Sequence, residues 1–428
     1  MTPAARIAAS IELQELIDFA ANRPADAVAN DFFRNRRFIG GGDRRFISER
    51  VWRVLRSRRR IEWWFGASPS PRLLIAASLM FEGSTIVALS EVFSGAQFAP
   101  AAFDRVERAL LARLEGRSLD HTGMSGAVRY EIPDWVYPRL EARFGTEVGT
   151  ELAAMQEPAT LDLRFNPLKT TRDDARAALA KEGHDAELTR LSPWGLRILG
   201  RRQVTAGVAF QTGLVEIQDE GSQLVAALVG ARPGMRVADW CAGAGGKTLA
   251  IAGTMENKGQ IVACDVSAPR LDGAVRRLRR AGVHNVERHL LEPGDKWAKR
   301  RAGTFDRVLV DAPCTGTGTW RRNPDARLRL KENDLLELVP KQAAILDAAQ
   351  ALVRKGGQLV YATCSLLAEE NEAQVSAFLD RHPDFAVVPL ARAWTLEGEP
   401  PCTGDFLSLT PARHGTDGFF GAVLERLA

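Results

Sequence analysis

No two cysteines of this chain form a CxxC pair; the five stand singly at 241, 264, 314, 364 and 402. Five thiols cannot all pair within one chain, and without paired spacing neither a disulfide framework nor a zinc site is indicated. Histidine is equally sparse: six residues are dispersed, with only His284 and His289 close together, so no metal site is expected. Long apolar runs are also missing. The longest, such as "LLIAASLM" from Leu73, fall far below the roughly 18 residues that a membrane span needs. The opening "MTPAARIAASIELQELIDFA" lacks the basic-then-apolar order of a secretory signal, and Glu12, Glu15 and Asp18 oppose a mitochondrial leader. A cytoplasmic protein without a membrane partner is expected.

What is present is a chain of 428 residues, 45% hydrophobic and 26% charged, which suits a soluble globular protein of two or three domains. The net charge is only +4, but arginines cluster in "RNRR" from Arg34, "RSRRR" from Arg56, "RRLRR" from Arg276, "KRR" from Lys299 and "WRR" from Trp320. Any one cluster reads equally well as a solvated helix face. Five together, several beside aromatics, point to RNA or DNA.

Residues 1–115 carry apolar positions at three- and four-residue spacing and predict an all-helical domain. Residues 116–135, polar and rich in Gly and Ser, predict a linker. Residues 136–217 predict a small α+β module, in which an alternating strand over Leu161–Phe165 precedes a helix with Thr171 as its N-cap and Gly183 as its stop. From Gln218 to residue 428, strands and helices alternate regularly, as in a doubly wound parallel sheet.

The first strand of that sheet runs into "CAGAGGKT", Cys241–Thr248, a glycine turn that lets backbone N–H groups approach a ligand. A P-loop would need glycine at position 241, where Cys241 stands, and the nicotinamide fingerprint would need glycine or alanine at 248, where Thr248 stands. Asp239 precedes the loop, and Asp265 ends the second strand, where an acid can take both hydroxyls of a ribose. That layout suits S-adenosylmethionine, which has a ribose but no phosphate.

Asp311 ends the strand "RVLVD" and leads into "DAPCTGTGTWRRNPD"; Cys364 ends the strand "GQLVYATCS" and is followed by a helix-like run whose first turn holds Glu369 and Glu370. Both Cys314 and Cys364 are therefore expected on the same carboxyl rim, where a helix N-terminus lowers a thiol's pKa. Two thiols, a carboxylate and a sulfonium cofactor suggest methyl transfer to an unreactive carbon. Cytosine C5 becomes nucleophilic when a thiolate adds at C6, and an acid at the N3 and N4 edge stabilises the adduct. The chemistry alone leaves open which cysteine attacks.

The blocks "QDEGSQL", "DWCAGAGGKT", "DVSAPRL", "DAPCTGTGTWRRNPD", "YATCSLLAEENE" and "TDGFFGAVLER" resemble those of the RNA cytosine-5 methyltransferases of the RsmB (Sun/Fmu) type. "LRFNPLKTTRDDA" resembles that family's small RNA-recognition-like module, and "DRRFISERVWRVLR" is similar to a NusB-like RNA-binding domain. The resemblance implies an α/β fold: a Rossmann-like S-adenosylmethionine-dependent methyltransferase domain preceded by these two modules. It implies that Cys364 is the nucleophile and that Cys314 assists product release, with Asp311 between cofactor and base and Lys247 counted among the catalytic residues. It further implies that Cys241, Ala242, Gly243, Ala244, Gly245, Gly246 and Lys247 wrap the cofactor, that Asp265 takes its ribose, and that Arg270 supports Asp265. The adenine acid is Glu292, with Asp295 as second candidate, because "VERHLLEPGDKW" departs from the family's usual aspartate.

Trp320 is expected to stack on a base while Arg321 and Arg322 meet phosphates. The expected partner is ribosomal RNA of the small subunit, with transfer RNA as the alternative substrate and a non-catalytic RNA-binding assembly factor as the rival from another class. A monomer is expected.

Overall fold

The computed structural model describes residues 1–20, 22–200 and 203–427. They divide into two compact units, the first formed by Met1–Gln156 with Trp320–Lys331 and the second by Glu157–Thr319 with Glu332–Ala428.

The first unit is helical. Its opening helix, Pro3–Phe19, starts where Thr2 accepts a hydrogen bond from the Ala5 N–H and proline occupies the first turn. The long helix Gly41–Phe65 ends at Gly66, whose φ of 68° favours glycine. Leu13, Ile47, Val51, Val54, Leu74 and Ile75 are fully buried at its core. The expected linker is folded here instead. Ser125 caps the short helix Gly126–Arg129, and Glu131, fully buried, accepts from the backbone N–H groups of Arg59 and Arg60 and from Arg60 Nε. The helix Tyr137–Phe144, expected to open the small module, also groups with this unit. Spacing alone could not tell a polar linker from a turn that wraps a buried ion pair.

In the second unit the small module is an antiparallel sheet of β1 (Leu161–Phe165), β2 (Ala186–Leu188), β3 (Gly195–Ile198) and β4 (Val215–Ile217), ordered β2-β3-β1-β4. The helix Arg172–Lys181 lies between β1 and β2, capped by Thr171 on the Asp174 N–H. Leu163, Leu179, Leu196 and Val215 fill the core of this module.

The second sheet contains β5 (Arg236–Asp239), β6 (Gln260–Asp265), β7 (Val286–Leu290), β8 (Phe305–Asp311), β9 (Val353–Thr363), β10 (Phe385–Val388), β11 (Leu407–Leu409) and β12 (Phe419–Arg426). Its order is β10-β12-β9-β8-β5-β6-β7, with β11 paired to β12. The pairs from β7 to β9 are parallel, whereas β12 runs antiparallel to β9, β10 and β11. Chain order reverses between β5 and β8, and the carboxyl ends of strands at such a switch point form a crevice for ligands. Among the described residues no helix is long and apolar enough to cross a membrane.

Candidate active site at the carboxyl rim of the sheet

The turn after β5 needs glycine at two places: Gly243 has φ 56° and Gly245 has φ 79°. It is pinned by hydrogen bonds from Ala242 N to Cys264 O at 2.9 Å and from Gly245 N to Ala242 O at 2.9 Å. The Asp265 carboxylate accepts from Gly243 N and Ser267 N, both at 2.8 Å. Arg270 was expected to support this acid, but backbone amides do so, and Arg270 is exposed on the first turn of the next helix.

A cavity of about 260 Å³ opens in front of the loop. Asp239, Cys241, Ala242, Gly246 and Lys247 line it from the loop, and Asp311 from the end of β8. Gln218, Asp219 and Ser222 complete the wall. These three lie in the "QDEGSQL" block, quoted above only for its resemblance; a polar string just before a buried helix was the signal available. Gln218 Oε1 and Asp239 Oδ1 are buried without a hydrogen-bond partner. Two orphaned acceptors in a cavity wall fit a ligand bearing N–H donors, and the α-ammonium of S-adenosylmethionine is such a donor. Burial pushes Asp239 up to about 7, against the 2.6 Å hydrogen bond that Thr248 donates to it.

Lys247 Nζ sits 2.6 Å from Asp311 Oδ2. Burial alone would lower the lysine, but the attraction and hydrogen bond of Asp311, with Cys364 and Asp239 nearby, hold it above its ordinary value. Asp311 keeps 29% of its side-chain surface exposed and so remains available to a ligand.

Cys314 and Cys364 come together, with Sγ atoms 3.5 Å apart. Expectation placed a helix N-terminus beside Cys364. The helix Glu372–Arg381 begins later, after the turn Ala368–Glu370. For Cys314, the hydrogen bond with Cys364 and burial push the thiol well above its ordinary value. Glu370, placed by the sequence in the first turn of a helix-like run, is fully buried. It accepts from Thr315 N at 2.8 Å, from the Thr315 hydroxyl and from Gln342 Nε2 at 2.9 Å. Gly318 N donates to Cys364 O at 2.9 Å and Leu366 N to Thr317 Oγ1 at 2.7 Å, so the two thiol loops are laced together.

The three residues expected to meet RNA are enclosed to different degrees. Trp320 is fully buried, Arg321 is buried and Arg322 is half-buried, all in the segment that joins the helical unit. Trp320 therefore offers no face for a base. The segment's basic and aromatic composition suited RNA, but the same side chains serve packing: Arg56 donates to Arg321 O, and Asp325 accepts from Ala25 N at 3.0 Å. For the adenine, Glu292 is exposed in the turn after β7, whereas Asp295 is taken up by His289 at 2.6 Å and by the Trp297 N–H at 2.8 Å.

Residues 226–425 match the family model of the 16S rRNA methyltransferase RsmB/F, and residues 132–205 match the ferredoxin-like domain of RsmF/B-like methyltransferases. The chain is 33% identical over 412 residues to a probable ribosomal RNA small subunit methyltransferase B of Synechocystis sp., covering 90% of this chain and 91% of that one. It is 35% identical over 299 residues to the ribosomal RNA small subunit methyltransferase B of Photorhabdus laumondii, covering 69% and 66%. Among solved structures it resembles PH0851, with a TM-score of 0.79, 26% identity and coverage of 100% of this chain and 99% of that one. It also resembles a methyltransferase homologue from Pyrococcus horikoshii, with a TM-score of 0.61, 28% identity and coverage of 71% and 100%. With its glycine loop suited to S-adenosylmethionine and its similarity to a relative along nearly the whole length, the chain belongs to the RsmB/F family of 16S rRNA methyltransferases.

Proposed function

We propose that the protein methylates C5 of a cytosine in small-subunit ribosomal RNA through a covalent adduct between Cys364 and C6. The observation that carries this reading is the pair of thiols 3.5 Å apart, on the same rim as the Asp311–Lys247 pair. S-adenosylmethionine, when bound, supplies the electrophilic methyl that an activated C5 takes; residues 241–247 would hold its methionine end, Asp265 its ribose, and Glu292 is the acid proposed for its adenine.

Cys364 as thiolate forms the S–C6 bond, and the displaced electron pair raises the electron density at C5. Asp311, oriented by Lys247, takes the N3 and N4 edge of the base. After methylation the C5 proton must leave to a base, the C5=C6 bond reforms, and the thiolate departs from C6. Attack is assigned to Cys364 and release to Cys314 by the resemblance of the "YATCS" and "DAPCTGTGTW" blocks to the family's, and the short distance between the two thiols suits such a division of labour. A cytosine must also leave its stack to reach such a rim.

The test is a denaturing gel of the Cys314→Ala and Cys364→Ala variants after incubation with ribosomal RNA and S-adenosylmethionine. Cys314→Ala should accumulate a protein–RNA adduct and Cys364→Ala should form none. The reverse pattern would exchange the two roles. Sequencing the trapped RNA separates a ribosomal from a transfer RNA target.

A further inference from the structure

The glycine loop is held from outside as well as from its own sheet. Arg277, on the helix Ala268–Ala281 that follows β6, donates from Nη1 to the Ala244 carbonyl at 2.7 Å. Its Nη2 lies 3.4 Å from Glu216 Oε1, and Arg280 on the same helix also pairs with Glu216. Glu216 stands on β4 of the small module, directly across the ladder from Arg164 on β1. Arg164 is only 6% exposed, and its Nε and Nη1 have no hydrogen-bond partner. Three guanidiniums thus surround one carboxylate. Glu216 cannot satisfy them all, and Arg277 retains donors for the Ala244 carbonyl.

Sequence spacing showed arginines around this helix without a task, and Arg277 was placed only among candidates for solvent or RNA. We infer that Arg277 is a positioning residue for the cofactor: it fixes the peptide between Ala244 and Gly245 and, through Glu216, ties the loop to the small module's sheet. A charge-assisted hydrogen bond to a loop carbonyl restrains a turn whose glycines otherwise leave it free to rearrange. Removing it therefore loosens the loop before the cofactor arrives, and binding must then supply the lost order. The effect falls on cofactor affinity, since Arg277 touches neither thiol loop through any bond described above. This inference rests on the glycine loop being the cofactor loop.

The experiment is titration of the full-length protein with S-adenosylmethionine by calorimetry, paired with steady-state methylation of ribosomal RNA, for wild type, Arg277→Met, Arg277→Lys and Glu216→Gln. Arg277→Met should weaken binding about tenfold and raise the KM for the cofactor equally, with kcat at saturating cofactor within about twofold of wild type. Arg277→Lys should recover part of the loss, because an ammonium can reach one acceptor but cannot fork to two. Glu216→Gln should weaken binding by a smaller factor, and it carries the test if Arg277→Met fails to fold. Unchanged affinity in folded Arg277→Met, or a fall in kcat at unchanged affinity, overturns the inference. If wild type methylates RNA and a folded Gly243→Val variant binds S-adenosylmethionine with unchanged affinity, the cofactor reading of the loop itself is overturned.

Discussion

Lys247 and Asp311 illustrate how single residues at this rim depend on each other. Lys247 is largely buried, and its charge is sustained chiefly by the contact with Asp311. Lys247→Met should leave Asp311 misoriented and lower single-turnover methylation by about a hundredfold, the scale of a lost proton-handling group, with the loss persisting at saturating S-adenosylmethionine. Asp239 behaves differently, because burial raises it to about 7. Its folded value lies above the ordinary carboxylate value of about 3.9, so the folded state binds this proton more tightly than the unfolded state. Its contribution is then undiminished below about pH 4 and is lost progressively as the pH rises toward 7. Melting temperatures between pH 4 and 8 should fall more steeply for wild type than for Asp239→Asn, and parallel slopes would show that the carboxyl does not titrate as described.

At the scale of elements, the site depends on two loops that leave neighbouring parallel strands, β8 and β9. The loop after β8 is also held against the turn before β12 by a backbone contact too close for any side chain. A Cβ on Gly318 would lie 2.3 Å from Gly418 O and 2.7 Å from Gly418 Cα. Gly318→Ala should therefore cost about 1–3 kcal/mol in denaturant unfolding. Because Gly318 N also holds the Cys364 carbonyl, the same variant should form the RNA adduct at least about tenfold more slowly. Glu370 shows why this frame was hard to foresee. Glutamate at the start of a helical run usually faces water, and only the approach of Thr315 and Gln342 from distant parts of the chain turns it inward.

At the scale of the whole molecule, the helical unit contains a segment that arrives from far along the chain. Trp320–Lys331 brings Arg327, 2% exposed, toward the buried Glu131, which also holds Arg60. Burial raises Glu131 even against these guanidiniums. Glu131→Ala would leave the buried Arg327 without this counter-charge and Arg60 with Asp120 alone, and should destabilise the helical unit by about 3–5 kcal/mol. In a thermal melt followed by calorimetry an early transition should appear, with S-adenosylhomocysteine binding retained at lower temperature. One cooperative transition at the wild-type temperature would show that the pair contributes nothing.

The alternation of strands and helices after Gln218, the glycine loop, Asp265 and the two cysteines were legible in the sequence, because each depends on local period or on residue types that few chemistries share. The strand–turn–helix pattern of Arg236–Thr254 needs no distant contact to be recognised. What tertiary structure decided is which side chains face one another. Trp320 and its arginines have the composition of an RNA platform, yet Trp320 and Arg321 are buried and Arg322 is half-buried. The supposed linker contributes a buried acid, and Arg277 reaches a carbonyl 33 residues away in sequence. Burial and pairing between remote segments follow from how elements stack, and no window of the sequence contains both partners.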